Sequence, residues 1–351
     1  MKIAIDCRKL HDHGIGTYIE NLVAQLRDLD SRNEYVLLCF ERDATSLRNL
    51  FPVRIVSAEL YSLNELLAIS SAVRSERADL FHSPHYVLPF RLPCPAVVTV
   101  HDIIHLLYPK TLPGHHAHIY ARYFVRRALS SSEAVITVSE SSRSDILARY
   151  PWAAGKIVRV YNGVDPFFTT NVDKEPVSRP FFLCVGNNKP HKNLPLLVEA
   201  YGRFAACKTG VDLAIAGFEG AIGDLPAGVR ALGYLDKRDL ARLYRSALAL
   251  ICPSRYEGFG LTAIEAQASG CPVVASDIPV FRETLGESAL LFSGDDVASL
   301  VSAMDRLACG EALRADLAAR GLANAHRFSF EACARETRAV YERAASRVGH
   351  G

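Results

Sequence analysis

Residues 248–266 read LALICPSRYEGFGLTAIEA, and this stretch decides the fold expected for the chain. The apolar run 248–252 predicts a short buried β-strand, and the pattern after Gly260 predicts a helix. Gly258 and Gly260 lie in the turn between the two elements. A strand that passes through a short turn into a helix is the repeating unit of a parallel sheet covered by helices.

Similar apolar runs alternate with helical patterns along the whole chain. The predicted strands are 3–6, 36–40, 53–56, 80–82, 96–100, 134–138 and 157–160 in the first half, and 181–185, 213–216, 248–252, 272–275 and 290–292 in the second. A polar, proline-bearing stretch at 173–180 precedes the restart of the pattern, as a linker does. A chain of 351 residues is long for one hydrophobic core and comfortable for two. We therefore predict two α/β domains with parallel sheets.

The composition excludes several classes of protein. The net charge of +2 gives no general attraction to nucleic acid, so we expect no nucleic-acid partner. The nine cysteines are scattered and lack the spacing of a zinc or redox motif, which is typical of a reducing compartment. No apolar run approaches the length of a membrane-spanning helix. We expect a cytoplasmic protein, at most associated with the inner face of a membrane.

The turn at 253–260 has the features of an anion-binding site. Glycines let backbone N–H groups approach a ligand, and the helix that follows adds its positive N-terminal end. Glu257 lies in the turn and Glu265 one turn or so into the helix, where both could accept hydrogen bonds from hydroxyl groups. The alternative is an ordinary strand-to-helix turn whose glutamates are a solvated charge and a favourable helix-start residue.

This segment resembles the E-x7-E motif of family 4 retaining glycosyltransferases with the GT-B fold. Further motifs of that family occur in the expected order: Gly14-Ile15-Gly16, His101-Asp102, Val138-Ser139-Glu140-Ser141, Asn162-Gly163-Val164-Asp165, Gly186 with Lys192-Asn193, and Gly233-Tyr234-Leu235. The combination resembles the bacterial mannosyl- and rhamnosyltransferases that build surface polysaccharides. The resemblance implies an α/β protein of two Rossmann-like domains with parallel sheets that face a central cleft.

The resemblance also implies the domain organisation. We expect an acceptor-side domain over residues 1–170 and a nucleotide-sugar-binding domain over residues 171–328. A C-terminal helix within residues 329–351 is expected to cross back to the first domain.

Individual roles follow from the same resemblance. Glu265 is expected to bind the ribose hydroxyls and Glu257 the donor sugar. Lys192 is expected to meet the diphosphate, which gains negative charge as the glycosidic bond breaks. The implied catalytic residues are His101, Lys192 and Glu257, and the implied donor-binding residues are Gly14, Gly16, Asn187, Lys192, Leu235, Glu257, Gly258, Phe259, Gly260, Leu261 and Glu265.

Two of these assignments have a structural alternative. His101 ends an apolar run and could be a satisfied core histidine, and Lys192 could be a surface lysine at a helix start. Gly14 and Gly16 lack the third glycine of a dinucleotide fingerprint, which disfavours NAD. Asn187 departs from the family, which often has an arginine at that position, so more of the diphosphate charge is expected to fall on Lys192.

The predicted reaction is transfer of a hexose from a nucleotide sugar, with a GDP-sugar such as GDP-mannose favoured by the resemblance, to a glycan or lipid-linked acceptor. A UDP-sugar donor remains open, as do a sugar-nucleotide 2-epimerase and a non-catalytic sugar-nucleotide-binding protein. No metal is expected, because cationic side chains and a helix end can neutralise the diphosphate. The histidines His82, His85, His101 and His105 lack acidic or cysteine partners at metal-ligand spacing.

One stretch of the first half is basic. No acidic residue occurs between Asp102 and Glu133, while Arg122, Arg126 and Arg127 alternate with aromatic residues on a predicted helix. Such a run is usually a solvated helix face. The alternative hypothesis is contact with anionic lipid head groups near a lipid-linked acceptor.

Overall fold

The computed structural model describes residues 1–112, 114–208, 210–217 and 225–348. The chain divides into two compact units. Unit 1 consists of Met1–Gly163 and Ser329–Gly351, and unit 2 consists of Val164–Phe328.

Unit 1 is built on a sheet of seven parallel strands with the order β3-β2-β1-β4-β5-β6-β7. Its strands are β1 (Lys2–Asp6), β2 (Glu34–Cys39), β3 (Val53–Ile55), β4 (Leu80–Ser83), β5 (Ala96–Thr99), β6 (Ala134–Thr137) and β7 (Ile157–Arg159). Its helices are α1 (His13–Leu29), α2 (Ala44–Arg48), α3 (Leu63–Ser75), α4 (Ile104–Leu107), α5 (His115–Ser131), α6 (Glu140–Arg149) and α13 (Phe330–Val348). Short 3₁₀ helices span Glu41–Asp43, Pro109–Thr111 and Pro151–Ala153.

Unit 2 has a sheet of six parallel strands with the order β10-β9-β8-β11-β12-β13. Its strands are β8 (Phe181–Val185), β9 (Asp212–Ala216), β10 (Val229–Gly233), β11 (Ala249–Cys252), β12 (Val273–Ser276) and β13 (Leu290–Phe292). Its helices are α7 (Leu194–Cys207), α8 (Lys237–Ser246), α9 (Leu261–Ala268), α10 (Pro279–Thr284), α11 (Val297–Cys309) and α12 (Glu311–Ala325). Pro190–Lys192 and Gly286–Ser288 form 3₁₀ helices.

The predicted fold class of two Rossmann-like α/β domains is confirmed. In each sheet the first strand of the unit lies in the middle, and the chain winds outwards first to one side and then to the other. The strand order therefore reverses between β1 and β4 in unit 1, and between β8 and β11 in unit 2. In open parallel sheets ligands bind at the carboxyl ends of the strands beside this switch point.

Strand β10 is the strand that the sequence pattern did not predict. It lies at the edge of its sheet and pairs with β9 alone, and its residues are exposed or half-buried. An edge strand needs no continuous apolar run, so its sequence VRALG lacks the signal that identified the buried strands.

The last helix, α13, belongs to unit 1. It packs beside α1, and Phe330, Val340 and Tyr341 are buried in the core with residues of β1 and β2. Gly163 lies so close to the start of this helix that a Cβ atom would come within 2.0 Å of the Phe330 nitrogen. The boundary between the units therefore follows Gly163, seven residues before the position 170 used in the sequence analysis.

Among the described residues, no helix is both long and apolar enough to cross a bilayer. All nine cysteines are free thiols.

Candidate functional site

The switch point of unit 2 brings two predicted residues into direct contact. Lys192 follows β8 in a 3₁₀ helix, and Glu257 follows β11 in the turn that leads to α9. The Lys192 ammonium lies 2.7 Å from Glu257 Oε1. Their side chains are 18% and 16% exposed, so the pair is mostly buried yet reachable from solvent.

The ion pair fixes the charge of both partners. Burial opposes the charged form of Lys192, but the adjacent Glu257 carboxylate outweighs it and raises the lysine pKa. Burial likewise opposes the charge of Glu257, but the Lys192 ammonium and a hydrogen bond from Ser254 Oγ lower its pKa overall. Both groups are therefore charged, and the Lys192 ammonium is held in an ion pair with Glu257 until an anion competes for it.

Backbone contacts hold the two loops together. The Arg255 N–H donates to the His191 carbonyl at 2.8 Å, which ties the Glu257 turn to the residue before Lys192. Gly186 adopts φ of +158°, and a Cβ placed there would contact the methylene groups of Lys192 at 3.5 Å. The lysine stem thus runs along the end of β8.

The turn after β11 delivers the N-terminus of α9 to the same edge. Gly260 is the N-cap of α9 with φ of +86°, and a Cβ there would lie 2.7 Å from the Phe281 ring. Glycine is required by both conditions, and it has no side chain to cap the first amides of the helix. No side chain of the described residues caps this end of α9, and the Ala263 and Ile264 N–H groups donate to the Gly260 carbonyl, so the positive end of the helix faces the turn through Leu261 and Thr262.

Phe259 has a structural role in the turn. Its ring is buried and packs edge-on against Phe328 with a centroid distance of 5.3 Å. Any contact of Phe259 with a donor must therefore use its backbone, as the backbone of Gly258 does in the prediction.

Glu265 lies one turn into α9 in a buried acidic cluster. Its Oε2 accepts a long hydrogen bond from Tyr244 Oη at 3.4 Å. Burial first, and then the nearby Asp165 carboxylate, raise the pKa of Glu265 to about 7, against the smaller opposing effects of Tyr244 and Lys237. Lys237 itself pairs with Asp165 at 2.7 Å. The hydrogen bond from Tyr244 is long, and a buried carboxyl group with a raised pKa is typical of a functional site.

Leu235 and Asn187 lie outside this contact network. Leu235 lines a surface groove with Val177 and Arg242, and neither Lys192 nor any of the glutamates of the site lines that groove. The Asn187 side chain accepts a hydrogen bond from the Lys189 N–H at 3.3 Å, so it stabilises its own loop.

His101 follows β5 at the carboxyl edge of the unit 1 sheet. Its Nε2 lies 3.1 Å from the Pro84 carbonyl, and since a carbonyl only accepts, Nε2 carries the proton. Burial lowers the pKa of His101 to about 4, so the ring is neutral at physiological pH. Tyr18 contacts the ring edge-on with a centroid distance of 5.0 Å. The histidine is thus held in one tautomer with Nδ1 as an acceptor.

Gly14 and Gly16 lie in the first turn of α1. Gly16 is buried, and a Cβ there would overlap the Leu10 carbonyl oxygen at 2.0 Å. The close approach of α1 to the chain after β1 therefore requires glycine at position 16, and Gly14 remains exposed.

Four residues of the site were given no role in the sequence analysis. Ser254 donates to Glu257, and Tyr244, Asp165 and Lys237 surround Glu265. The signal for Asp165 was present in the Asn162-Gly163-Val164-Asp165 motif, but the other contacts depend on tertiary packing. Within the described ranges no group of three potential ligand residues could hold a metal ion.

Two family models together match most of the chain. Residues 13–167 match the model of glycosyltransferase family 4, and residues 168–323 match that of the glycosyl transferases group 1. The chain is 30% identical over 294 residues to O-antigen chain mannosyltransferase B of Escherichia coli, which covers 77% of this chain and 76% of the relative.

Solved structures share the fold. Sucrose-phosphate synthase of Thermosynechococcus elongatus aligns with a TM-score of 0.79 at 20% identity, covering 98% of both chains. Anabaena Alr3699/HepE, solved in complex with UDP-glucose, aligns with a TM-score of 0.75 at 18% identity, covering 99% of this chain and 100% of the other.

Two doubly wound parallel sheets of this topology are the Rossmann-like architecture of GT-B enzymes. The chain belongs to glycosyltransferase family 4, with a group 1 region as its second half, and it is a glycosyltransferase. The predicted family and enzyme class are confirmed.

Proposed function

We propose that the chain transfers a hexose, with retention of anomeric configuration, from a GDP-sugar to a glycan or lipid-linked acceptor. The observation that carries the proposal is the juxtaposition of Lys192, Glu257 and the N-terminus of α9 at the switch point of unit 2. A charged ammonium group and the positive N-terminal end of a helix are the groups that suit a diphosphate leaving group.

In this proposal Lys192 and the α9 amides stabilise the diphosphate as the glycosidic bond breaks. The charge that develops on the leaving oxygen is met by donors already in position, which is the largest contribution such a site can make. Glu257 holds the ammonium group in place before the donor arrives, and then accepts hydrogen bonds from donor-sugar hydroxyls. A divalent metal is not needed for this chemistry.

Glu265 is proposed to accept hydrogen bonds from the two ribose hydroxyls of the nucleotide. The support is its buried carboxyl group, which accepts a hydrogen bond from Tyr244 at the long distance of 3.4 Å. Two hydroxyl donors would satisfy the carboxylate and lower its pKa from about 7, so binding and deprotonation reinforce each other. The predicted roles of His101, Asn187 and Leu235 toward the donor stay predictions.

The choice of mannose is supported by the name of a relative, and the choice of GDP rests on the family resemblance alone. The E. coli relative is named an O-antigen chain mannosyltransferase, which supports a mannosyl donor and a polysaccharide acceptor. The Anabaena structure contains UDP-glucose, so a UDP-sugar is the second candidate donor.

Incubation with GDP-mannose or UDP-glucose and a panel of glycan acceptors tests the proposal. We expect a glycosylated acceptor and free GDP, and NMR of the new linkage should show the anomeric configuration of the donor. Transfer from UDP-glucose with release of UDP, and no transfer from GDP-mannose, would identify the UDP-sugar as the donor. A changed sugar that stays attached to its nucleotide without any acceptor would instead identify a 2-epimerase.

A peripheral membrane contact is the second part of the proposal. On α5 the side chains of Ile119, Arg122, Tyr123 and Arg126 are all exposed, and the Phe90 ring lies 6.5 Å from that of Tyr123. Apolar side chains flanked by cations suit the interface of an anionic bilayer.

The structure corrects one residue of this basic face. Arg127 donates to the Pro89 carbonyl at 2.7 Å and its guanidinium lies 4.9 Å from the centre of the Phe90 ring. It therefore stabilises the loop before β5, and the proposed lipid contact narrows to Arg122 and Arg126.

Sedimentation with anionic liposomes tests this contact. Replacing both Arg122 and Arg126 with alanine should reduce the bound fraction, whereas the same change at the exposed Arg203 and Arg335 should not. Equal sedimentation of both double variants would dismiss the contact.

A further inference from the structure

A second polar recess lies in unit 1, at the switch point of its own sheet. Lys9 follows β1 and His85 follows β4, two strands that are neighbours although β2 and β3 lie between them in the chain. This is where an open parallel sheet binds ligands. None of the residues predicted from the sequence to contact the donor lines this recess.

The carboxylates of the recess are already satisfied by the protein. Arg8, whose side chain is fully buried, donates to both oxygens of Asp6 and to Glu65 Oε1. The other oxygen of Glu65 accepts the Tyr61 N–H at 2.6 Å. Asp6 and Glu65 therefore stabilise the walls of the recess, and a ligand would bind to other groups.

Two groups retain unused hydrogen-bonding capacity. The Lys9 ammonium donates to Asp12 at 2.7 Å and to Tyr61 Oη at 2.6 Å, which uses two of its three N–H bonds within the described part of the chain. His85 Nδ1 is buried and has no hydrogen-bond partner among the described residues. Burial holds the His85 pKa well below its usual range, so the ring is neutral, and in the tautomer with the proton on Nε2 its Nδ1 can accept a hydrogen bond from a hydroxyl group.

The size of the recess limits what enters it. It has room for about one water molecule, which is the size of a single hydroxyl group. A hydroxyl can accept from Lys9 and donate to His85, which matches the two unused groups. Ser83 Oγ donates to the His85 and Val87 carbonyls at 2.7 and 3.0 Å, so the turn that carries His85 is held in place.

An aromatic surface lies beside the recess. Tyr61 is 52% exposed, and its backbone has φ of +65°, which is strained for a residue with a side chain. The contacts with Lys9 and Glu65 hold this conformation, and the Lys9 ammonium lies 4.5 Å from the ring centre. An exposed ring next to hydrogen-bonding groups suits a ligand that is apolar on one face and hydroxylated at its edge.

The charge of the recess disfavours an anionic ligand. Asp6, Asp12 and Glu65 face the two cations Arg8 and Lys9, so the cluster has no positive excess. A phosphate or a carboxylate would meet more acidic groups than basic ones.

We propose that this recess binds one hydroxyl group of a neutral pyranose in the acceptor, with the sugar ring resting on Tyr61. The inference deepens the proposed function, since it rests on transfer to a glycan acceptor. Lys9, His85 and Tyr61 then contact the acceptor sugar, and the acidic excess of Asp6, Asp12 and Glu65 disfavours a uronic acid or a sugar phosphate.

Saturation-transfer NMR tests the recess directly. The neutral probes are the methyl α-pyranosides of mannose, galactose and N-acetylglucosamine. The anionic probe is the uronic acid of methyl α-mannopyranoside, which differs from that mannoside only in carrying a carboxylate at C6. We expect a signal from at least one neutral probe and a much weaker one from the mannuronate. Lys9→Met and Tyr61→Ala should each weaken the signal at least about tenfold, because a hydrogen bond to a charge or the stacking surface is lost.

Two controls locate the signal. Lys2→Met removes a half-buried, ion-paired lysine at the opposite end of β1, and Lys208→Met removes an ion-paired lysine on the surface of unit 2, so both should keep the signal. Three results would each overturn the proposal. The signal of a neutral probe could persist in Lys9→Met and Tyr61→Ala, no neutral probe could give a signal, or the mannuronate could give a signal as strong as that of the neutral probes.

The recess and the proposed function can fail separately. If no sugar is transferred in any assay but the NMR signal is lost in Lys9→Met and Tyr61→Ala, the proposed sugar binding in the recess is supported and the proposed transfer reaction is contradicted. If transfer occurs and the KM for the acceptor is unchanged in Lys9→Met and Tyr61→Ala, the recess is wrong and the reaction stands.

Discussion

The Lys192 ammonium and Glu257 Oε1 lie 2.7 Å apart, although 65 residues separate them in the chain. The contact joins the loops after β8 and β11, the two strands that flank the switch point of unit 2. A lysine held by a carboxylate at this edge is charged and oriented before any ligand arrives, which is the preorganisation that transition-state stabilisation requires.

Lys192→Met should therefore lower kcat by about 100-fold or more, because the leaving diphosphate loses its main cationic donor. The measurement is transfer rate at saturating donor. The matched control is Lys208→Met, which breaks an exposed ion pair with Asp305 in the same unit and should leave kcat unchanged. Equal rates for wild type and Lys192→Met would remove the lysine from the reaction.

Glu265→Gln should make the protein more stable at pH 8 than the wild type. Burial raises the pKa of Glu265 to about 7, above its value in an unfolded chain, so the folded state binds the proton more tightly. The free energy of unfolding of the wild type therefore falls as pH rises from about 4.5 to about 7, by up to about 3 kcal/mol. Glutamine does not ionise and should escape this loss.

Urea denaturation at pH 5 and pH 8 measures the effect. The stability advantage of Glu265→Gln should be large at pH 8 and small at pH 5. The exposed Glu199→Gln on α7 serves as the control and should follow the wild type at both pH values. A constant difference between Glu265→Gln and the wild type would contradict the raised pKa.

Gly260→Ala should destabilise the protein by about 1–3 kcal/mol, since the residue has φ of +86° and a Cβ would collide with Phe281. Gly202→Ala in α7 is the matched control, because a Cβ there meets nothing within 4 Å and alanine favours a helix. Thermal unfolding of both variants gives the comparison. The prediction fails if the two melting temperatures move together.

Tyr341→Phe should cost about 1–3 kcal/mol of stability through a buried hydrogen bond. The Tyr341 hydroxyl lies 2.7 Å from His82 Nδ1, and His82 Nε2 lies 2.9 Å from Thr99 Oγ1, so the change leaves a buried ring nitrogen unsatisfied. Tyr123→Phe on the exposed face of α5 should stay within about 0.5 kcal/mol of wild type. Urea denaturation compares them, and equal stability of the two variants would show that α13 does not depend on this contact.

Much of the fold could be predicted from the sequence because parallel strands are buried on both faces. Such strands read as continuous apolar runs, as 181–185 and 134–137 do, and periodicity alone identifies them. Strand β10 escaped because its edge position needs no such run. The attachment of α13 to unit 1 came from family resemblance, since an amphipathic helix does not specify its partner.

The candidate site was predictable to the extent that glycines and carboxylates lie next to each other in the chain. Glu257, Gly260 and Glu265 share one strand-turn-helix segment. The geometry of such a segment depends on residues that are close in the chain, so the sequence pattern reveals it. The Lys192–Glu257 distance and the raised pKa of Glu265 were not predictable, because each depends on side chains from separate elements. The recess at Lys9 and His85 escaped for the same reason.

The central claim is that Glu265 holds the nucleotide, and a calorimetric titration of Glu265→Ala tests it most directly. The titrant is GDP or UDP, whichever raises the melting temperature of the wild type, with the exposed Glu199→Ala as control. Loss of the ribose contacts should cost about 1–3 kcal/mol, a roughly 5- to 150-fold rise in Kd. A Kd equal to that of the wild type and the control would contradict the account.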